Sequence, residues 1–426
     1  MPGFIKYQNW KVCLLENRWI KLYAVPQLGG RLIQLEMDGH DFFFVNPLLA
    51  GTKPGPSRLG EKGAWLNFGG EKIWPAPQGW DSLDQWPGPP DPVLDSGEYV
   101  AELGDDSRNK LRLTSPIDQY TGLQVIKDVS VSESRTEVIV TVNFKNTGDT
   151  LKHWSIWPVI QMNTQGEGEE RYHIVCPANP ESLFSDGYKV MHGLINNPQY
   201  SLNAQGNVQI DYHYLVGKIG LDTNAGWAAF ADKKRGKVFA VLFPCESGVS
   251  YPNDTSFQVW TSGCGMVYSR NVIRQHADDK VLNPPYMEME LLSPIHEIPP
   301  GREVQFEYRM LASTIPAGET VVCVNEIGVI ASSLTCLPTE NGLFIKATYG
   351  VFTEGILKIQ ILNSSQRETQ VCLHEKKVCP LQGIHIEVVV SRELPTGDFR
   401  VTAELFDFEG YLTGVLDEKS IQFDNI

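Results

Sequence analysis

No run of about 18 or more apolar residues occurs in the 426 positions, so a membrane-spanning helix is not expected. Positive charge is scarce: 36 Lys and Arg stand against 51 Asp and Glu, a formal net charge of −15. No Lys/Arg-dense tract offsets it locally. Such a surface repels polyanions, so neither nucleic acid nor membrane is expected as a partner. The eight cysteines are dispersed and form no C-x-x-C pair, and no paired Cys/His spacing suits zinc. H-E-x-x-H, G-x-S-x-G and Walker-type loops are also missing. Gly69-Gly70 is a lone pair with no helix signal after it, which does not support phosphate cradling. The opening MPGFIKYQNWKVCLLENRW lacks a basic leader with a following apolar run. The reading is a cytoplasmic protein with reduced thiols.

Helical periodicity is scarce too. No segment of twelve or more residues carries a 3.6-residue apolar stripe with caps at both ends. What the chain has instead is 38 Gly, 27 Pro and 10 Trp, with turn residues punctuating short alternating runs. Val138, Val140, Val142 and Phe144 share one strand face, as do Val304, Phe306, Tyr308 and Met310, and Ile384, Ile386, Val388 and Val390. Asp38-Gly39 and Asn341-Gly342 sit between apolar runs and tolerate the positive φ of tight hairpins. The pattern predicts an all-β protein. STIPAGET, near Ser313 to Thr320, interrupts the strands and divides the chain. Residues 1–315 are expected to form one large antiparallel β domain. Residues 322–426, with short strands separated by turns, are expected to form an immunoglobulin-like sandwich.

Three stretches carry candidate chemistry. The densest is WLNFGGEKIWPAPQGWDSLDQW, from Trp65 to Trp86, where four of the ten tryptophans fall beside Glu71, Lys72, Gln78 and Asp81. A tryptophan suits a surface that is half apolar and half wet. Sugars are such partners, because their C–H faces lie on rings while their hydroxyls seek carboxylates, amides and ammonium groups. A loop whose tryptophans merely cover the end of the sandwich would read the same way. The second stretch, YMEMELLSP, places Tyr286, Glu288, Glu290 and Leu292 on one strand face and Met287, Met289 and Leu291 on the other. Two carboxylates about 6.6 Å apart by Cα spacing resist joint ionisation, which suits a general acid or base. An exposed polar face is the simpler explanation. The third, KHWSIWPVIQMN, sets His153, Ser155, Trp157, Val159 and Gln161 on one face, with His153 a candidate acid or a structural side chain. Arg270, Arg274 and His276 lie close in sequence to the second stretch and could reach a sugar hydroxyl.

Several segments resemble the galactose mutarotase-like superfamily, the β-supersandwich that includes the aldose 1-epimerases. VPQLGGRLIQLEMDGHDFFFVNP resembles its first strands, and FGGEKIWPAPQ its Gly-Gly…Pro loop beside the sugar cup. KNTGDTLKHWSIWPV is similar to the strand that carries an acid histidine, and YMEMELLSPIHEIPPGREVQFEYRM to the closing segment with a base glutamate. The resemblance covers about residues 10 to 312 and points to a bacterial branch of the superfamily rather than the true epimerases. It implies that Glu290, with Glu288 second, takes the anomeric hydroxyl proton while a histidine protonates the ring oxygen. At the family's histidine position this chain has Trp157, and the nearest histidine is His153. Arg31 and Arg58 are the candidates for a substrate-binding arginine.

The sequence therefore predicts a mutarotase-like supersandwich followed by an immunoglobulin-like sandwich. The expected function is binding of a small sugar or oligosaccharide; if catalysis accompanies it, the expectation is mutarotase-type isomerase chemistry with Glu290 as base, Glu288 second, and His153 or a water held by Lys72 as the acid. Glu71, Lys72, Trp74, Gln78, Trp80, Trp157 and Arg274 are the expected substrate-binding residues. No metal or organic cofactor is required, because two positioned proton-transfer groups suffice. The alternative is a noncatalytic interaction or scaffold protein whose C-terminal domain docks a partner. A glycoside hydrolase is disfavoured, because two carboxylates close together on one strand do not flank a scissile bond.

Overall fold

The computed structural model describes residues 4–53, 65–79, 81–82, 84–104, 109–166, 171–269, 272–339, 342–363, 369–390 and 397–423. Among these residues the secondary structure is β throughout, apart from one short 3-10 turn at Pro252–Asp254. The chain divides into two units. The first takes Met1–Glu133, Val138–Gly226 and Val241–Met310, and the second Ser134–Glu137, Trp227–Ala240 and Leu311–Ile426.

The first unit is an antiparallel β-supersandwich. Its larger sheet has twelve strands among the described residues. Six neighbours in that sheet matter most. They run, in spatial order, Glu71–Ala76, Lys152–Asn163, Tyr286–Leu291, Phe257–Thr261, Gly217–Leu221 and Lys189–His192. Each pairs antiparallel with the next. Strands distant in sequence therefore become neighbours. The facing sheet includes Leu123–Val131, Glu137–Asn146 and Glu303–Thr314.

The alternation read in the sequence is realised. Val138, Val140, Val142 and Phe144 are fully buried. Asp38 and Gly39 both have positive φ, and Met37 pairs with His40 across them. That is the two-residue hairpin expected for Asp-Gly. Asn341 of the other expected turn lies outside the described residues.

Glycine is needed at 69 and 70 for two reasons. Both residues have positive φ, at 95° and 72°. A Cβ there would also lie 2.0 Å from the Phe44 carbonyl oxygen and 2.5 Å from that of Leu32. The pair lets the chain pass close to two backbones before entering Glu71–Ala76, and no side chain fits in that passage.

Between the two large sheets lies a dry polar cluster. Glu71 accepts from the Lys127 ammonium at 2.5 Å and from the Tyr308 hydroxyl at 2.6 Å. Lys127 also donates to the Gly30 carbonyl at 3.2 Å. All three side chains are buried. Burial depresses the Lys127 ammonium, with Glu71 acting in the opposite sense. Burial also pushes the Tyr308 phenol well up, and the Glu71 charge adds to the effect.

In the second unit, two four-stranded sheets share one apolar core. One sheet holds Cys323–Val324, Gly328–Thr339, Gly342–Val351 and Ile384–Val390. The other holds Thr369–Val378, Gly355–Asn363, Gly397–Phe406 and Leu412–Phe423. Leu343, Ile345, Tyr349, Ile359, Val401 and Leu405 meet between them.

The interior cluster makes a graded stability test. Lys127→Met strands the Glu71 carboxylate in the dry core and is expected to cost about 3–5 kcal/mol. Tyr308→Phe, which removes one hydrogen bond to that carboxylate, should cost about 1–3 kcal/mol. Arg112→Ala breaks an exposed ion pair with Asp128 and should cost under about 1 kcal/mol. Urea denaturation of the three variants checks the order, and equal losses would contradict it.

Candidate functional site

Register places a polar, aromatic surface on the outer face of the larger sheet. Lys72 lies opposite Val159, and Val159 opposite Glu290. Glu290 lies opposite Gln258 on its other side. One step along the strands, Gln161 faces Glu288, Glu288 faces Trp260, Trp260 faces Lys218, and Lys218 faces His192. Trp74 and Trp157 are also directly opposed. Cross-strand partners project from the same face, so all these side chains rise together.

On this face lies a cavity of about 270 Å³ whose walls include Trp65, Trp74, Trp157, Trp260, Glu288 and Glu290. Gln78, His192, Lys218 and Tyr286 complete its polar lining. The Trp74 and Trp157 rings meet edge to face, with centroids 5.5 Å apart and planes at 70°. Trp65 lies 6.3 Å from Trp74, and His192 6.0 Å from Trp260, both in T-shaped contact.

Two ion pairs form the floor. The Lys72 ammonium donates to Glu288 at 3.1 Å, and Lys218 to Glu290 at 2.8 Å. Gln161 adds a bond to Glu288 at 2.7 Å, and the Trp157 indole N–H one to Glu290 at 2.9 Å. Each ammonium also lies over an indole, Lys72 at 4.6 Å from the Trp74 ring and Lys218 at 4.9 Å from Trp157. These contacts lock the rotamers of the aromatic walls. Burial depresses the Lys72 ammonium, and the Glu288 charge opposes that shift. Burial raises the Glu290 carboxyl, Lys218 lowers it, and the Glu288 charge raises it further; the net direction is upward.

The expected site residues divide. Glu290, Glu288, Trp74, Trp157 and Gln78 line one cavity, and Lys72 is ion-paired to Glu288 beneath it. Glu71 is corrected: strand alternation turns it to the opposite face, into the interior with Lys127 and Tyr308. His153 is also corrected as the acid. It sits at the far end of the long strand, opposite Glu297, partly exposed and 3.6 Å from that carboxylate. Arg274 is exposed on a separate two-stranded hairpin, Gly265–Ser269 with Val272–His276, and does not line this cavity. Arg31 is buried behind the wall, where it donates to Asp95 at 3.0 Å; Asp95 accepts from the Trp74 indole at 3.2 Å. It positions Trp74 instead of meeting a ligand. Trp80, Arg58 and Arg270 lie outside the described residues.

Sequence reasoning missed Lys218, His192 and Trp260 as lining residues, and named Trp65 only as part of the tryptophan-dense stretch. Lys218 had a usable signal, since it is the one charged residue in the short strand GKIGL. Trp260 had another in the alternation of FQVWT. His192 ends the four-residue strand KVMH, too short to show a period.

The raised Glu290 carboxyl has a consequence for stability. The folded protein retains a proton that the unfolded chain releases above about pH 4.3, the ordinary glutamate value. Its contribution is therefore fully present below that pH and lost as pH rises through the raised value. The stability of the wild type relative to Glu290→Gln should fall over this window, as read from urea midpoints at stepped pH. A flat or rising difference would contradict the assignment.

Among solved structures, the chain is similar to a galactose mutarotase related enzyme from Lactobacillus acidophilus, at 11% identity and a TM-score of 0.44. That match covers 71% of this chain and 97% of the other. A galactose mutarotase-like protein from Lactobacillus casei ATCC 334 matches at 11% identity and a TM-score of 0.44, covering 71% and 99%. A TPR-domain containing protein from Parabacteroides distasonis ATCC 8503 matches at 14% identity and 0.47, covering 71% of this chain and 47% of that one. Residues 11–310 match a family described as a domain of unknown function, DUF4380, and the chain belongs to that family.

Proposed function

We propose that the first unit binds a neutral carbohydrate in the tryptophan-walled cavity. The observation that carries this reading is the meeting of Trp74 and Trp157 beside the carboxylate that Trp157 itself holds, Glu290. Ring faces supply the apolar contact that sugar C–H groups need. Carboxylate, amide and imidazole groups within the same walls supply hydrogen-bond partners for hydroxyls. Two ammonium groups and two carboxylates cancel in the floor. A site with no net charge favours a neutral polyol over a phosphorylated one. In this reading the sugar-binding domain spans residues 1–315, and residues 322–426 form an immunoglobulin-like module.

A catalytic version of the same reading is favoured by one specific observation: His192 and Glu290 line one cavity. Glu290, raised by burial, accepts the anomeric hydroxyl proton. His192 gives a proton to the ring oxygen as the bond from that oxygen to the anomeric carbon breaks. The open aldehyde then recloses on either face, and the two protons return. This assigns the acid to His192 in place of His153, and the step needs no cofactor.

Calorimetry with neutral sugars tests binding. Trp74→Ala should weaken affinity at least tenfold, worth about 1.4 kcal/mol. Unchanged affinity in a variant with a native circular dichroism spectrum would overturn the cup. Polarimetry on freshly dissolved α-glucose and α-galactose tests turnover. The wild type should accelerate anomer equilibration, and His192→Gln and Glu290→Gln should each reduce that acceleration by about 10²–10⁴-fold. Equal rates with and without the wild type would leave a binding protein.

A further inference from the structure

We infer that the ligand is an oligosaccharide with at least two sugar units in the site, an inference that rests on the sugar reading above. A second cavity of about 430 Å³ lies beside the first. The two share Gln78, Trp157, His192 and Lys218 as lining residues, which form a waist between an inner and an outer lobe. A hexose displaces about six waters, roughly 180 Å³ at about 30 Å³ each. The inner lobe therefore holds one pyranose, and the outer lobe holds another with space beyond it.

The strands explain why the lobes follow one another. From Trp74 to Ala76, from Glu290 to Leu292 and from Trp260 to Gln258, the lining moves two residues in a single direction, and at the sheet edge a bulge between Val190 and His192 replaces the regular step. A two-residue step is about 6.6 Å and returns to the same sheet face. The cleft is thus one surface continued by one repeat along neighbouring strands. Its two ends have related chemistry. The outer lobe pairs apolar walls, Pro77, Met191 and Leu292, with the amides of Gln78 and Gln258. Its only described cationic side chain besides Lys218 is Lys189, which has Asp254 at 3.9 Å. Neither lobe selects for a charged group. A glycosidic linkage joining the two units lies over the waist, against Trp157, His192 and Lys218.

The test is an array of neutral glycans graded from single pyranoses to hexamers, followed by calorimetry on the best-bound series. Affinity is expected to rise at least tenfold from the monosaccharide to the disaccharide. Met191→Trp, which fills the outer lobe from a residue that does not line the inner one, should remove that gain and leave monosaccharide affinity unchanged. Lys189→Ala, at a half-buried position, serves as a milder second variant and should weaken only the longer ligands. Equal affinity for one and two units, or no effect of either variant on the disaccharide, overturns the inference. Monosaccharide binding that depends on Trp74 would in that case still support the sugar reading. Failure of every glycan to bind would overturn both.

Discussion

The site depends on one constraint: the strand Tyr286–Leu291 is clamped between Lys152–Asn163 and Phe257–Thr261 in a single register. That register turns Glu288 and Glu290 to the outer face and brings each against an ammonium from a different strand, Lys72 on one flank and Lys218 on the other. A slip of one residue would send both carboxylates into an apolar interior and both methionines out. Two buried carboxylates side by side are costly alone. With two lysines, an amide and an indole N–H arranged around them, the set becomes neutral and hydrogen-bonded. The charges that make the floor polar also fix the walls, because the same lysines rest on Trp74 and Trp157.

Much of this was legible in the sequence, and the reason is the period of the strand. Alternation alone placed Glu288 with Glu290 and Tyr286, opposite Met287 and Met289, and in the structure the first three line one cavity while the methionines do not. Composition marked the tryptophan-dense segment as unusual. The alternation rule, applied inside that segment, would have separated Glu71 from Lys72. Adjacent residues on a strand have opposite fates, and here one goes to the dry interior and its neighbour to the cup. Composition suggested grouping them, whereas backbone geometry separates them.

What was not legible is the spatial order of strands distant in sequence. Trp74 and Trp157 are neighbours because Glu71–Ala76 pairs with Lys152–Asn163, and Lys218 reaches Glu290 across the Phe257–Thr261 strand lying between their own. No local signal encodes such long-range pairing. His153 illustrates the cost: it sits on the right strand but near the wrong end, 3.6 Å from the Glu297 carboxylate. His192, from a short strand at the far side of the same face, stands where an imidazole can meet the cavity. The glycine pair at 69 and 70 was legible as a loop, but its purpose, letting the chain pass two carbonyl oxygens, needed coordinates.

The proposed function requires that the aromatic walls and the paired carboxylates form one receptacle for a neutral sugar. A crystal structure of the protein with its tightest-binding neutral glycan tests this most directly. A pyranose ring is expected against Trp74 and Trp157, with a hydroxyl within hydrogen-bond distance of Glu288 or Glu290. A glycan bound anywhere else, with the cavity beside Glu290 empty of it, would contradict the claim.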